Sequence, residues 1–340
     1  MRIAIAQINS CLGDFEGNAK KIISYTERAA RHRCDLVVFP ELAAFGYYPA
    51  DLLERPSIVG AQTKAVKSLV ANLPAGIYAA FGMVRPTSDK KSKLYFNSVA
   101  LAKRGKILHY FDKELLPNYD VFDEARHFAS GETAKNIFVL NGKRILFTIC
   151  EDIWAWPNKA SDQEYPVNPL KGVKGKIDLV INSSASPFFS HKWTERKRIV
   201  KATAQQFRAP VIYTNLVGAQ DELIFDGKSF SVNSKGEIMT ICRGFEEDFT
   251  YLDIPSVQKQ RVKILENPLN DLRQALVLGI RDFVHKIGMQ KVHLGLSGGI
   301  DSAVVACLAC DALGSGNVFG VGLPGPHTSK LSLSLARQLA

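Results

Sequence analysis

Three residues of different chemistry stand where apolar runs end. Glu41 follows 36-LVVFP-40, Lys113 follows 107-ILHYFD-112, and Cys150 follows 146-LFTI-149. Behind Cys150 come Glu151 and Asp152, acids that should not continue into a dry core, so the chain is expected to turn there. A cysteine nucleophile needs a group that takes its proton and a group that stabilises an oxyanion. A glutamate can hold the thiol proton and pass it to a leaving amine. A lysine beside the thiol stabilises both the thiolate and the charge of a tetrahedral intermediate. The backbone N–H of Glu151 is placed for a second oxyanion hydrogen bond. The usual partner, histidine, offers nothing comparable. His32, His109, His127, His191, His285, His293 and His327 lie in no Cys/His protease context. Taken singly, a strand-end Glu or Lys is usually solvated and a lone cysteine usually fills space. Three strand ends delivering a carboxylate, an ammonium and a thiol favour a reactive site.

A second pattern is 293-HLGLSGGIDSAVVACLACDAL-313, which reads strand, tight glycine turn, helix. Gly298 and Gly299 let backbone N–H groups come close to an anion, and the helix N-terminus favours negative charge. Ser297 and Ser302 add hydroxyls. The GK[ST] ending of a Walker A loop is absent. Cys307 and Cys310 sit on the apolar helix that follows and, with no second CxxC pair, read as core. No metal ligand is assigned from the sequence.

The elements that must hold these residues follow from pattern. IAIAQI, DLVVFPE and GIYAAFGMV read as strands, and residues 17–33 have helical spacing. NSVALAKRGKILHYFDK reads as a hairpin turning at Lys103–Lys106, and NIFVLNGKRILFTIC as another turning at Asn141-Gly142. IDLVINSSASPF and APVIYTNLVG flank a helix over 191–207, and LIFDGKSFSVNSKGEIMTI reads as antiparallel strands. This predicts a mixed α/β domain of residues 1–260, with a linker over 254–268. A helix over 269–288 and the strand KVHLGLS would open a second domain, 261–340. With 46% hydrophobic and 22% charged residues, the 340-residue chain reads as globular, and no apolar run reaches membrane-spanning length. The charge of +10 is spread along the chain, which favours anionic ligands without marking a nucleic-acid or membrane surface. Six scattered cysteines suit free thiols and a cytoplasmic protein.

FPE at 39–41, DKELLPNY at 112–119 and CEDIW at 150–154, in that order, resemble the Glu-Lys-Cys nitrilase superfamily. The resemblance implies a four-layer αββα sandwich that hydrolyses or transfers carbon–nitrogen bonds through a thioester. LPNYDVFDEARHF at 116–128 is similar to the glutaminase domain of glutamine-dependent NAD synthetases. That implies Glu41 as proton acceptor, Lys113 as electrostatic stabiliser and Cys150 as nucleophile, with Tyr119, Ser186 and Lys192 contacting glutamine. Where that branch has Gly-Lys, this chain reads His191-Lys192. Glu124 matches either the extra glutamate many nitrilases place beside the lysine or a structural residue.

SGGIDS resembles the pyrophosphate-binding loop of ATP-pyrophosphatases, which implies nucleotide contacts over Gly295, Leu296, Ser297, Gly298, Gly299, Ile300, Asp301 and Ser302. NVFGVGLPGPHTS at 317–329 resembles the next strand and loop of NAD synthetases, so the second domain is expected to begin a doubly wound parallel α/β layer. The family resemblance further implies glutamine, ATP and deamido-NAD as substrates, a homo-oligomer, ATP with Mg2+ for the synthetase step, and no cofactor for the glutaminase step. Because the sequence stops at Ala340 after about two strands of that layer, the chain is expected to hydrolyse glutamine without making NAD. The alternatives are a free-standing nitrilase-type amidase, against which the SGGIDS loop argues, and a non-catalytic assembly partner.

Overall fold

Side-chain alternation along the strands decides the layers. The computed structural model describes residues 1–87, 93–155, 165, 167–255 and 267–340. These divide into two units, one holding 1–217 with 225–255 and the other 218–224 with 267–340. The predicted boundary near 260, and the linker residues 256–266, lie outside the described residues.

In the first unit, chain order runs β1 (Arg2–Gln7), α1 (Phe15–Arg31), β2 (Leu36–Val38), α2 (Pro56–Asn72), β3 (Tyr78–Pro86), β4 (Tyr95–Lys103) and β5 (Lys106–Asp112). After the short α3 (Glu124–His127) come β6 (Ile137–Leu140), β7 (Lys143–Ile149), β8 (Leu179–Ser184), α4 (Lys192–Phe207) and β9 (Val211–Asn215), and then β10 (Val217–Gln220) and β11 (Leu223–Asp226), whose residues 218–224 fall in the second unit. The last strands are β12 (Phe230–Val232), β13 (Ile238–Ile241) and β14 (Asp248–Asp253). One six-stranded sheet has the order β14-β1-β2-β3-β4-β5, and the other β13-β12-β9-β8-β7-β6.

Successive side chains of a strand point to opposite faces. Ile3 and Ile5 of β1, Phe111 of β5, Ile145, Phe147 and Ile149 of β7, and Leu179 and Ile181 of β8 share the cluster between the sheets. Ala4 and Ala6 pack instead with Ile22 of α1 and Val66 and Leu69 of α2. Leu146 and Val180 pack with Trp193, Ile199 and Val200 of α4. The order is therefore helix, sheet, sheet, helix: the αββα sandwich. Phe111 stacks on Phe147 across the middle, with centroids 4.0 Å apart.

Both predicted hairpins form. Asn141 and Gly142 take φ of 49° and 73°, the left-handed pair that a two-residue turn demands. Two of the longer elements of the first unit were not read from the sequence. α2 carries Gly60, Ala61, Ala65 and Ser68 among its apolar positions, which dilutes its stripe, and it buries Gln62 against Val84. β14 pairs antiparallel with β1 over Arg2↔Asp253 to Gln7↔Asp248. Only this long-range partner makes it a strand.

In the second unit are α5 (Pro268–Lys286), β15 (Val292–Gly295), α6 (Ile300–Leu313), β16 (Val318–Val321) and α7 (Lys330–Leu339). β15 and β16 pair in parallel, so β15-α6-β16 is one βαβ unit, the repeating element of a doubly wound layer. Residues 218–224 belong here: Asp282 accepts the Ala219 N–H at 2.8 Å, and Lys286 donates to the Ala219 carbonyl at 2.8 Å. Cys307 and Cys310 are not core. The first is exposed and the second half-buried, because α6 buries only Ala309, Ala312 and Leu313, towards its C-terminal end. No described helix is long and apolar enough to cross a membrane.

Candidate active site

Glu41 is delivered by an interrupted strand. Pro40 has no N–H to continue the ladder of β2, so the chain leaves the sheet there. The loop then presses onto β3 at Gly82, where a Cβ would lie 2.0 Å from the Leu42 nitrogen. Glu41 is fully buried, and its carboxylate is filled: Oε1 accepts from Lys113 Nζ and Asn97 Nδ2, each at 2.7 Å, and Oε2 accepts the Ala185 N–H at 2.9 Å.

Lys113 continues β5 by one residue. Its backbone N–H donates to Asn97 at 2.9 Å, and its carbonyl accepts from Gly131 at 2.7 Å. Its ammonium, also fully buried, lies 2.7 Å from Glu41 and 2.8 Å from Glu124. Burial alone would lower this lysine, but the Glu124 and Glu41 charges outweigh it and hold the ammonium well above its ordinary range. Glu124, which also accepts from the Tyr47 hydroxyl at 3.0 Å, is pushed up to about 7 by burial, with Glu41 raising it and Lys113 lowering it. Of the two readings of Glu124, the geometry is that of a carboxylate beside the lysine.

Cys150 begins a short 3-10 turn with φ of 42°, the left-handed region that costs a β-carbon residue energy. Asn182 donates to its carbonyl at 3.3 Å. Burial pushes the thiol well above its ordinary range, Glu41 pushes it further, and Lys113 opposes them. The thiol lies within the field of both predicted partners. The structure brings Glu41, Lys113 and Cys150 together.

The expected turn out of the core after Cys150 happens, but Glu151 and Asp152 stay buried. Glu151 Oε1 accepts hydroxyls from Tyr119, at 3.3 Å, and from Tyr165, while Asp152 is satisfied by backbone N–H groups. Buried acids are tolerable when such donors surround them. Lys192 lies close to this cluster. Its ammonium is 3.9 Å from the Trp154 ring centroid, 4.5 Å from that of Phe189 and 3.3 Å from Glu195, and burial lowers it while Glu195 and Glu151 raise it. His191 adopts φ of 71°, so the backbone keeps the left-handed turn for which glycine is the easier residue. Ser186 is pinned rather than loose. Its N–H donates to Asn215 at 2.9 Å, and its hydroxyl accepts from Arg196 Nε at 3.1 Å. Arg196 is itself buried against Asp226 at 2.6 Å.

Sequence reasoning missed the Glu151 carboxylate, Tyr165, Asn97 and Arg196. The adjacency of Glu151 to Cys150 was a usable signal. The other three are joined to the site only by the fold.

In the second unit, Gly295 ends β15, and the Leu296 N–H donates to Val321 at 2.9 Å. Gly298 has φ of 80°, and a Cβ there would meet the Ser332 carbonyl oxygen at 2.2 Å, so glycine is required. Ser297 and Ser302 hydroxyls are 3.1 Å apart, and Ser297 Oγ accepts the Gly299 N–H at 3.2 Å. Ile300, Asp301 and Ser302 form the first turn of α6, and the loop is mostly solvent-exposed. It is a helix N-terminus opened by a glycine turn, chemically suited to an anion.

The carbon-nitrogen hydrolase family model matches residues 2–263. The chain belongs to the carbon-nitrogen hydrolase family. The NAD synthase model matches residues 272–340. Beside these, this carbon-nitrogen hydrolase is 41% identical to the glutamine-dependent NAD(+) synthetase of Synechocystis sp., over 99% of this chain and 62% of that protein. It is 35% identical to the enzyme of that name from Aquifex aeolicus, over 100% of this chain and 64% of that protein. The solved glutamine-dependent NAD+ synthetase of Acinetobacter baumannii, in complex with ADP, matches at TM-score 0.87 and 33% identity, over 99% of this chain and 62% of that one. This chain thus spans less than two-thirds of each of these relatives. An amidase of the nitrilase superfamily from Nesterenkonia matches at TM-score 0.61 and 22% identity over 75% of this chain, which speaks for the sandwich fold alone.

Proposed function

We propose that the first unit is the glutaminase of a glutamine-dependent NAD synthetase and that the second begins its ATP-dependent synthetase domain, with the boundary near residue 260. The observation that carries this reading is the buried Glu41–Lys113 pair, whose charges reach Cys150 at the start of a strained turn. Glu41 takes the Cys150 proton as the sulfur attacks the glutamine side-chain carbonyl, forming a C–S bond. Lys113 and the Glu151 N–H stabilise the oxyanion, and the C–N bond breaks as Glu41 returns the proton to the leaving ammonia. Water, deprotonated by Glu41, then splits the thioester, giving glutamate and free Cys150. The glutaminase step needs no cofactor.

Lys192 would pair with the α-carboxylate of glutamine and Glu151 with its α-ammonium, with Tyr119 and Ser186 fixing the pocket. Lys192→Met should then lower kcat/KM for glutamine about 10- to 100-fold, chiefly through KM, the scale of one charge-assisted contact. An unchanged KM would remove Lys192 from the pocket.

Ammonia would be consumed at a synthetase site where ATP activates deamido-NAD. The nucleotide phosphates would meet the loop from Gly295 to Ser302. Mg2+ would enter with ATP, and the oxygen donors at hand for it are Asp301, Ser297 and Ser302. The described residues hold no group of three or more His, Cys, Asp or Glu side chains for a metal, so the phosphates and water would supply most of its ligands. A homo-oligomeric, cytoplasmic protein goes with this reading, and sedimentation and cell fractionation test it.

Lys113 should also govern the thiol. Alkylation of the Cys150 peptide by iodoacetamide is expected to keep accelerating above pH 9, the ordinary thiol value, because burial and Glu41 hold the proton on. Lys113→Met should move that curve higher still and lower kcat at least about 10²-fold, the scale of one oxyanion donor. A curve that Lys113→Met leaves in place would contradict the assignment. The reading as a whole is tested by supplying glutamine to the purified chain and measuring ammonia. Release of ammonia from simple amides but not from glutamine would point to a free-standing amidase.

A further inference from the structure

The loops that carry Lys113 and Cys150 leave different sheets, since β5 edges the first and β7 lies in the second. One side chain ties them. Asp152 has no exposed surface, and its Oδ1 accepts the N–H groups of Glu114 at 3.0 Å and Leu115 at 2.9 Å. Its Oδ2 accepts the Ile149 N–H at 2.9 Å. Glu114 and Leu115 directly follow Lys113, and Ile149 directly precedes Cys150. The Ile149 bond is the local contact that an acid at the third position of a helical turn makes to its cap. The Oδ1 bonds are different in kind. They reach back to the other sheet, and the turn does not need them.

We propose that Asp152 is a positioning residue for the amide hydrolysis: its carboxylate fixes the approach of the Lys113 ammonium to the Cys150 sulfur by holding the backbone on both sides. It touches neither substrate nor the reacting atoms. Three N–H donors converge on it, and a carboxylate is the side chain of this size that can accept all three. An asparagine would turn its NH2 towards one of them. Burial pushes the carboxyl up to about 7, opposed by the Leu115 and Ile149 N–H groups and by the Lys113 charge. The inference rests on the reading of Glu41, Lys113 and Cys150 as a glutaminase site.

A double-mutant cycle tests it, using glutamine hydrolysis by the wild type, Asp152→Asn, Lys113→Met and the double variant. Circular dichroism and thermal melting report the fold of each. Asp152→Asn is expected to lower kcat about 10- to 100-fold, the cost of a misplacement near 1 Å, with KM changed less than about threefold. Lys113→Met, costing about 10²-fold in the wild type, should cost no more than about tenfold in the Asp152→Asn background. Losses that multiply independently would make Asp152 merely structural and overturn the proposal. Asp152→Ser, smaller and without a second donor group, is run beside Asp152→Asn. If neither variant folds, Asp152 is a fold residue and the proposal is likewise overturned. A wild type that releases ammonia with an uncoupled cycle sinks this inference alone, and a wild type inactive on glutamine sinks the glutaminase reading with it.

Discussion

Replacing Cys150 with alanine is expected to abolish glutamine hydrolysis, with a loss of at least about 10⁴-fold in kcat, the range seen when a nucleophile is deleted from its catalytic unit. Thioester chemistry has no substitute sulfur here. Cys34 and Cys242 are buried elsewhere, and Cys11, Cys307 and Cys310 lack the Glu41–Lys113 pair. The fold should survive. Alanine removes one atom from a buried position and can occupy the left-handed conformation at a cost close to that of cysteine. Ammonia release and a thermal melt separate the two effects. Residual hydrolysis within about tenfold of the wild type would mean that the reaction does not pass through this thiol.

Glu41→Gln should cost about 10²- to 10⁴-fold in kcat, the range for a general acid–base group. The substitution keeps size but not basicity. Its geometry makes the loss twofold in origin. Both Glu41 oxygens accept hydrogen bonds, from Lys113 and Asn97 on one side and Ala185 on the other. Whichever way the amide is turned, its NH2 meets a donor. Lys113 then keeps Glu124 as its only carboxylate partner among the described residues. The pH profile distinguishes a lost base from lost geometry. A lost base leaves a slow rate that climbs with hydroxide, as the thiol must shed its proton to solvent. A variant that hydrolyses glutamine at near-normal rate would make Glu41 structural.

Much of this site was legible because its chemistry sits at strand ends. Apolar runs stopping at Glu41, Lys113 and Cys150 marked three strand ends, which the structure brings together, while the sandwich layers were expected only from the family resemblance. What escaped was what only long-range pairing supplies. β14 is a strand because β1 lies beside it, and Asn97 reaches Glu41 from a strand whose own pattern is unremarkable. Arg196 was not singled out on the helix over 191–207, yet it is buried against Asp226 and holds Ser186. Glu151 and Asp152 were misjudged for a related reason. Acids were expected to seek water, whereas tyrosine hydroxyls and backbone N–H groups satisfy them in the interior. Cys307 and Cys310 erred in the other direction, since apolar flanking residues do not bury a helix that is covered only near its C-terminal end.

The central claim is that glutamine passes through a thioester on Cys150, and mass spectrometry of protein quenched in acid during turnover tests it most directly. With isotopically labelled glutamine, the account predicts one labelled glutamyl group, found on the peptide that contains Cys150 and absent from Cys150→Ala. A labelled group on another cysteine, or steady ammonia release from Cys150→Ala, would contradict it.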